Sequence, residues 1–227
     1  MYIGFSQFYY LTNEGDLQDL IPAFHDPSMM QGHGKQSEDK KPGNCNGYVK
    51  MMDSQLYLAH STHNIYQFLL RIFKTYHFPT RDTNVGSQWF AFSSRPGDLI
   101  SKDDFYVLSS GLYVMETSLS NNIKDNYKDL TPRTVPCWLR ATIAVNLART
   151  ADEWADYFLK ERSGTHNNQW VIVDPSKITS LKSVVLFVEE GFSQFEVIDM
   201  TSTLLQKGYV GSYNVPKSEK ICKKLGY

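Results

Sequence analysis

Apolar residues change their spacing several times along this chain, and each change marks an expected element. Positions 48–52 and 55–60 carry two short runs separated by Asp53-Ser54, the pattern of a β-hairpin. Ile65, Phe68, Leu69, Ile72, Phe73 and Tyr76 then fall at helical spacing. Asn64 stands where a cap belongs and Pro79 closes the segment, so the spacing predicts a helix. Strand-like runs follow at 88–92 and 105–117, the second interrupted by Ser109-Ser110-Gly111, a turn or bulge signal. Trp138, Ala141, Val145 and Ala148 share one helical face, and 152–160 reads as a second helix burying Trp154 and Phe158. Strands return at 169–173, 184–188 and 195–198, while 15–21 reads as a short capped helical turn ended by Pro22. The order lacks a regular βαβ alternation. A layered α+β fold with mainly antiparallel sheets is therefore expected, not a doubly wound one.

One stretch breaks the pattern. Residues 25–43 lose almost all aliphatic character and read as a solvated, mobile loop, the only linker-like segment in the chain. The rest is ordinary globular usage, with 41% hydrophobic and 21% charged residues in 227, enough apolar side chain for a core. A net charge of −1 removes the footprint of a nucleic-acid binder and argues against an anionic membrane surface as the main partner. Aromatic residues are high at 14%, which favours a β-rich chain. No apolar run approaches the length of a membrane-spanning helix, and residues 1–20 show no secretory signal. Asn-x-Ser/Thr is absent. The three cysteines, Cys45, Cys137 and Cys222, lie too far apart for a zinc motif or a disulfide framework.

Three places could carry chemistry. Cys45 sits where the polar loop meets the first strand, so scission of the Asn44–Cys45 bond would make it N-terminal. Such a cysteine holds nucleophile and base together. Its thiol, near pKa 8.5, and its α-amine, at about 7.7–8, can exchange a proton near neutral pH. The alternative is an inert small residue beside the turn dipeptide Asn46-Gly47. His60, Thr62 and His63 follow the hairpin and could orient a nucleophile, or could be structural. No carboxylate or cysteine completes a metal-ligand set around them. Residues 163–170, Ser-Gly-Thr-His-Asn-Asn-Gln-Trp, place amides ahead of a β-branched strand. These amides could donate to an oxyanion or tie down their own turn. A Gly-x-Ser-x-Gly elbow, a phosphate loop and a dinucleotide fingerprint are all absent from the sequence.

Taken together, these segments resemble the phospholipase B-like family (the lamina-ancestor group) of lysosomal or secreted hydrolases. Gly15-Asp16-Leu17-Gln18-Asp19-Leu20 is similar to the family's stretch before its processing loop. Cys45-Asn46-Gly47-Tyr48-Val49-Lys50 stands at the start of the mature catalytic part, and His60-Ser61-Thr62-His63 at the family's His-x-Thr-Trp. Phe92-Ser93-Ser94-Arg95-Pro96-Gly97, Asp103-Asp104-Phe105, Ser110-Gly111-Leu112 and Glu116-Thr117-Ser118 follow in order. The 163–170 stretch is the most specific, departing from the usual Ser-Gly-Thr-Tyr-Asn-Asn-Gln at His166, and Ser212-Tyr213-Asn214-Val215-Pro216 matches near the end.

The resemblance implies an αββα N-terminal-nucleophile sandwich, incomplete here because family members continue beyond the point matching Tyr227. It divides the chain into a propeptide-side segment with the processing loop, 1–44, and the first part of the catalytic domain, 45–227. Carried over by position, Cys45 is the nucleophile, the Asn44–Cys45 bond the self-cleavage site, and His60 its neighbour. Thr117 lines the site, Asn167 or Asn168 supplies the oxyanion donor, and His63 (tryptophan in the family) and Trp170 border the substrate. The implied activity is acyl hydrolysis without metal or cofactor. The substrate is a glycerophospholipid ester or, alternatively, an N-acyl amide. A missing C-terminal portion or partner chain is implied as well. The rival from another class is a catalytically silent fragment acting only in binding. A lysosomal or secreted location would follow from the resemblance alone.

Overall fold

The computed structural model describes residues 4–24, 45–53, 55–63, 66, 70–101 and 105–227. Two antiparallel sheets form its centre. The strands β1 (Cys45–Met52) and β2 (Gln55–Thr62) make the expected hairpin. A seven-stranded sheet then runs in simple chain order: β3 (Ile72–His77), β4 (Trp89–Ser94), β5 (Phe105–Leu108), β6 (Tyr113–Ser118), β7 (Asn168–Val173), β8 (Val185–Gly191) and β9 (Gln194–Asp199). A last strand, β10 (Tyr209–Ser212), returns to pair with β1, making the smaller sheet β10-β1-β2. Every pairing within these sheets is antiparallel, as expected for a layered α+β chain.

Strand alternation gives the large sheet two apolar faces. On one, Val114, Trp170, Ile172, Leu186 and Val188 meet the helices α3 (Cys137–Leu147) and α4 (Ala151–Phe158), where Trp154 and Phe158 are fully buried. On the other, Met115, Val171, Val173, Val185 and Phe187 meet Val49 and Val210 of the small sheet. The layers are thus helices, large sheet and small sheet. Thr150 caps α4 by accepting from the Glu153 amide, 3.2 Å away.

Two expectations need correction. The segment predicted as a helix from Ile65 to Tyr76 is a strand over its second part, with Ile72, Phe73 and Tyr76 in β3; Asn64, Ile65, Phe68 and Leu69 lie outside the described residues. Apolar residues at 72, 73 and 76 suit either period, and the sheet edge decides. Tyr76 packs edge-on against Phe90 and Phe92, with ring centroids 5.7 and 4.9 Å away, which only pairing with β4 permits. Pro22, in turn, does not end a helical turn but lies inside α2 (Glu14–Phe24), which follows α1 (Phe5–Thr12). The elements α5 (Thr201–Lys207) and α6 (Glu219–Leu225), like β10, are too short for a hydrophobic period to mark them in the sequence.

Those first two helices are not peripheral. Asp16, 2% exposed, accepts from the Cys137 amide at 3.0 Å and from the hydroxyl of Thr165. Asp19 accepts from the His166 amide at 2.8 Å. The amino-terminal segment therefore grips both the start of α3 and the loop that feeds β7.

Candidate active site

Cys45 is the first residue of β1 and is 3% exposed. Alternate residues of β1 face the large sheet, so Cys45, Gly47 and Val49 share that face. Gly47 pairs with His60 on one side and Ser212 on the other, while Cys45 pairs with Thr62. Cys45 and His60 are therefore diagonal neighbours across the hairpin, a separation of roughly 7–8 Å. The His60 ring stacks on Phe105 at 6.2 Å, and its Nε2 donates to the Glu116 carbonyl at 2.7 Å. A carbonyl only accepts, so Nε2 carries hydrogen, and in the neutral ring Nδ1 is the acceptor nitrogen.

The opposing wall comes from the large sheet. Thr117 of β6 and Gln169 of β7 are cross-strand partners on the face that meets the small sheet. Gly47 lies directly over this wall, since a Cβ there would stand 3.6 Å from Ser212 Cβ and 3.8 Å from Thr117 Cγ2. The Thr117 and Ser212 hydroxyls are 2.6 Å apart, and Ser212 also bonds Gln169 Oε1. Gln169 Nε2 donates to Glu189 and, at 3.2 Å, to the Val215 carbonyl. The Glu189 carboxylate, fully buried, further accepts from the amides of Lys217 at 2.6 Å and Ser218 at 3.0 Å.

Asn214 holds the main chain of Cys45 at both ends. Its Oδ1 accepts from the Cys45 amide at 3.3 Å, and its Nδ2 donates to the Cys45 carbonyl. The residue stands at φ 61°, a left-handed conformation that asparagine adopts more readily than most side chains. Sequence reasoning gave it no role, although it stands in the Ser212–Pro216 motif. The usable signal was an asparagine two residues before Pro216, a composition that marks turns.

The other expected residues are dispersed. Asn167 donates to the Gly164 carbonyl at 3.0 Å and accepts from the Phe192 amide at 2.7 Å, so its amide ties down its own turn. Asn168 and Trp170 alternate with Gln169 and take the helix-side face, where Trp170 packs against Trp154 and Phe158 at 5.2 and 5.1 Å. Asn168 is 1% exposed, with neither amide atom hydrogen-bonded among the described residues. His63 is exposed just past β2. Of the expected set, the structure gathers Cys45, His60 and Thr117, and it places an asparagine from elsewhere beside them. Asn44 and the 25–43 loop lie outside the described residues. Among the described residues no group of three His, Cys, Asp or Glu side chains could hold a metal ion, and no helix is long and apolar enough to cross a membrane.

On α3 the buried Arg140 guanidinium spans Glu190 at 3.1 and 3.2 Å and the Phe158 carbonyl at 2.7 Å. Burial pulls its pKa down, yet Glu190, Cys137 and Asp16 outweigh it and leave the group raised. This pair stabilises the 163–167 turn from beneath, where Ser163 faces Arg140 at 3.4 Å.

The phospholipase B family model matches residues 1–227. The chain belongs to the phospholipase B family. It is 36% identical over 226 residues to the human protein phospholipase B-like 1, covering 97% of this chain and 40% of that protein. Phospholipase B-like protein B of Dictyostelium discoideum is 36% identical over 99% of the chain and 41% of its own length. Phospholipase-B 81 of Drysdalia coronoides is 36% identical over 96% and 41%. The chain thus spans about 40% of the length of the relatives it matches.

Proposed function

We propose that this chain carries the nucleophile-bearing part of a phospholipase B-like acyl hydrolase built as an N-terminal-nucleophile sandwich. The observation that carries this reading is the position of Cys45. It is buried between two facing sheets, diagonal to His60, with its main-chain nitrogen held by Asn214. Membership in the phospholipase B family supports the hydrolytic class.

In the proposed maturation the Cys45 thiol attacks the Asn44 carbonyl, the peptide nitrogen takes the thiol proton, and water cleaves the resulting thioester. Asn44 ends as a carboxylate and Cys45 gains an α-amine. In turnover that amine accepts the thiol proton, and the sulfur attacks the substrate acyl carbon. The leaving alcohol takes the proton back, a thioester remains, and amine-activated water releases the acid. Asn214 Nδ2, which already bonds the Cys45 carbonyl, is the amide best placed to donate to the developing oxyanion. Neither Asn167 nor Asn168 is so placed.

The test is mass spectrometry of the purified chain and of Cys45→Ala, with hydrolysis measured on a diacyl glycerophospholipid and on an N-acyl amide. A fragment beginning at Cys45, absent in the variant, and acid release lost with it are the expected results. Scission that persists in Cys45→Ala removes Cys45 from the mechanism. Faster turnover of the amide assigns the chain to amide chemistry.

A further inference from the structure

The hydrogen-bond chain running from Glu189 to Thr117 has only one consistent direction. Gln169 Nε2 faces the Glu189 carboxylate and the Val215 carbonyl, 3.2 Å away in the second case. Both are acceptors, so the NH2 group must point to them; the flipped amide would set oxygen against two oxygens. Glu189 cannot relax this, because its oxygens also accept the Lys217 and Ser218 amides at 2.6 and 3.0 Å. Gln169 therefore offers only Oε1 to Ser212, and the single Ser212 hydroxyl hydrogen goes there. Ser212 has nothing left to donate to Thr117. The 2.6 Å contact between the two hydroxyls is then donated by Thr117.

We propose that Glu189, Gln169 and Ser212 are positioning residues that polarise Thr117, so that it meets the Cys45 end of the inter-sheet space as a hydrogen-bond acceptor. The hydroxyl hydrogen of Thr117 is committed to Ser212, so Oγ1 can offer a further partner only a lone pair. A group in that state does not stabilise an oxyanion. It instead accepts from a donor, and the donor that maturation would add at Cys45, beside the thiol already there, is its α-amine. Thr117 thus orients the catalytic amine while the donor role falls to Asn214. The same chain links this polarity to the Asn214 turn, because Gln169 and Glu189 hold residues 215, 217 and 218 just beyond it. All four polar side chains of the chain are fully buried, so water does not compete for these bonds.

The direction itself is independent of activity, whereas its catalytic use rests on the hydrolase reading above. Neutron diffraction from deuterium-exchanged crystals of the full chain tests the first. The expected result is a deuterium on Thr117 Oγ1 directed at Ser212, one on Ser212 directed at Gln169, and both Gln169 amide deuteriums on Glu189 and Val215. A Thr117 deuterium directed away from Ser212 overturns the proposal whether or not the chain hydrolyses anything. Steady-state kinetics on the glycerophospholipid test the second. Ser212→Ala should lower kcat roughly tenfold with KM held within about twofold. It should cause no further loss when added to Thr117→Val, and Thr117→Ser should retain most of the rate. Losses that add in the double variant, an unchanged kcat, or an effect confined to KM would each overturn the positioning role. Absence of any turnover in the unaltered chain would sink the hydrolase reading and leave the neutron result to decide the polarity.

Discussion

Replacing Asp16 by alanine tests whether the amino-terminal segment is part of the folded unit. Helix α3 begins at Cys137 after Pro136, which has no side chain able to cap its first amides. Asp16 supplies that function from a distant segment, accepting the Cys137 amide at 3.0 Å through Oδ1. The same oxygen takes the Thr165 hydroxyl and, more weakly at 3.5 Å, that of Ser163. Loss of a helix cap costs about 0.5–2 kcal/mol. Loss of a buried hydrogen bond to a carboxylate costs about 1.5–3 kcal/mol, so a total near 3 kcal/mol is expected for Asp16→Ala. For a chain of this size that is a fall in Tm of roughly 6–12 °C. Because all three bonds fall on one oxygen, Asp16→Asn keeps a neutral acceptor there and should lose only about 1 kcal/mol. Equilibrium urea unfolding followed by circular dichroism measures both. A cost below about 1 kcal/mol for the alanine variant, or equal costs for the two, would refute the reasoning.

Other outcomes follow from single contacts. Glu190→Gln should cost about 3–5 kcal/mol by urea unfolding, because it leaves the Arg140 guanidinium buried without its carboxylate; adding Arg140→Met should restore most of that loss. Gly86→Ala should lower Tm, since its Cβ would lie 2.4 Å from the Ala148 carbonyl oxygen and 2.5 Å from that of Leu147, both backbone atoms; an overpacking cost of about 1–3 kcal/mol is expected. Asp129 has its pKa lowered from 3.8, first by the Lys224 hydrogen bond and then by Ser193. A depressed carboxylate contributes stability that is complete above its unfolded value and is lost as pH falls through the folded one. Asp129→Asn should therefore flatten the acid limb of stability below about pH 4, which thermal melts across pH 2–6 would measure.

Much of the architecture was legible because local chemistry and tertiary role agree. The hairpin at Cys45–Thr62, the helices around Trp138 and Trp154 and the strand around Trp170 combine period, composition and turn residues that point to the same state. Where two periods fit equally, as at Ile72–His77, the decision belonged to a partner strand far from the local window. The same holds for β10, whose four residues signal nothing until β1 offers them an edge.

The site divides along the same line. Cys45, His60 and Thr117 were expected together from the family resemblance, and the structure sets them on the facing sides of the two sheets. Asn168 and Trp170 flank Gln169 in β7 yet face the other way, because neighbours in a strand point to opposite sides, while Asn167 lies before the strand and ties down its own turn. The sequence thus determined which residue types were available: one thiol at the start of the hairpin, an imidazole in its second strand, and a supply of hydroxyls and amides. Only the packed sheets decided which amide holds the main chain of Cys45, since Asn214 arrives there by pairing of β10 with β1, far apart in the chain. Alternation within a strand is short-range and can be read from sequence, whereas contact between strands distant in the chain exists only once the layers close.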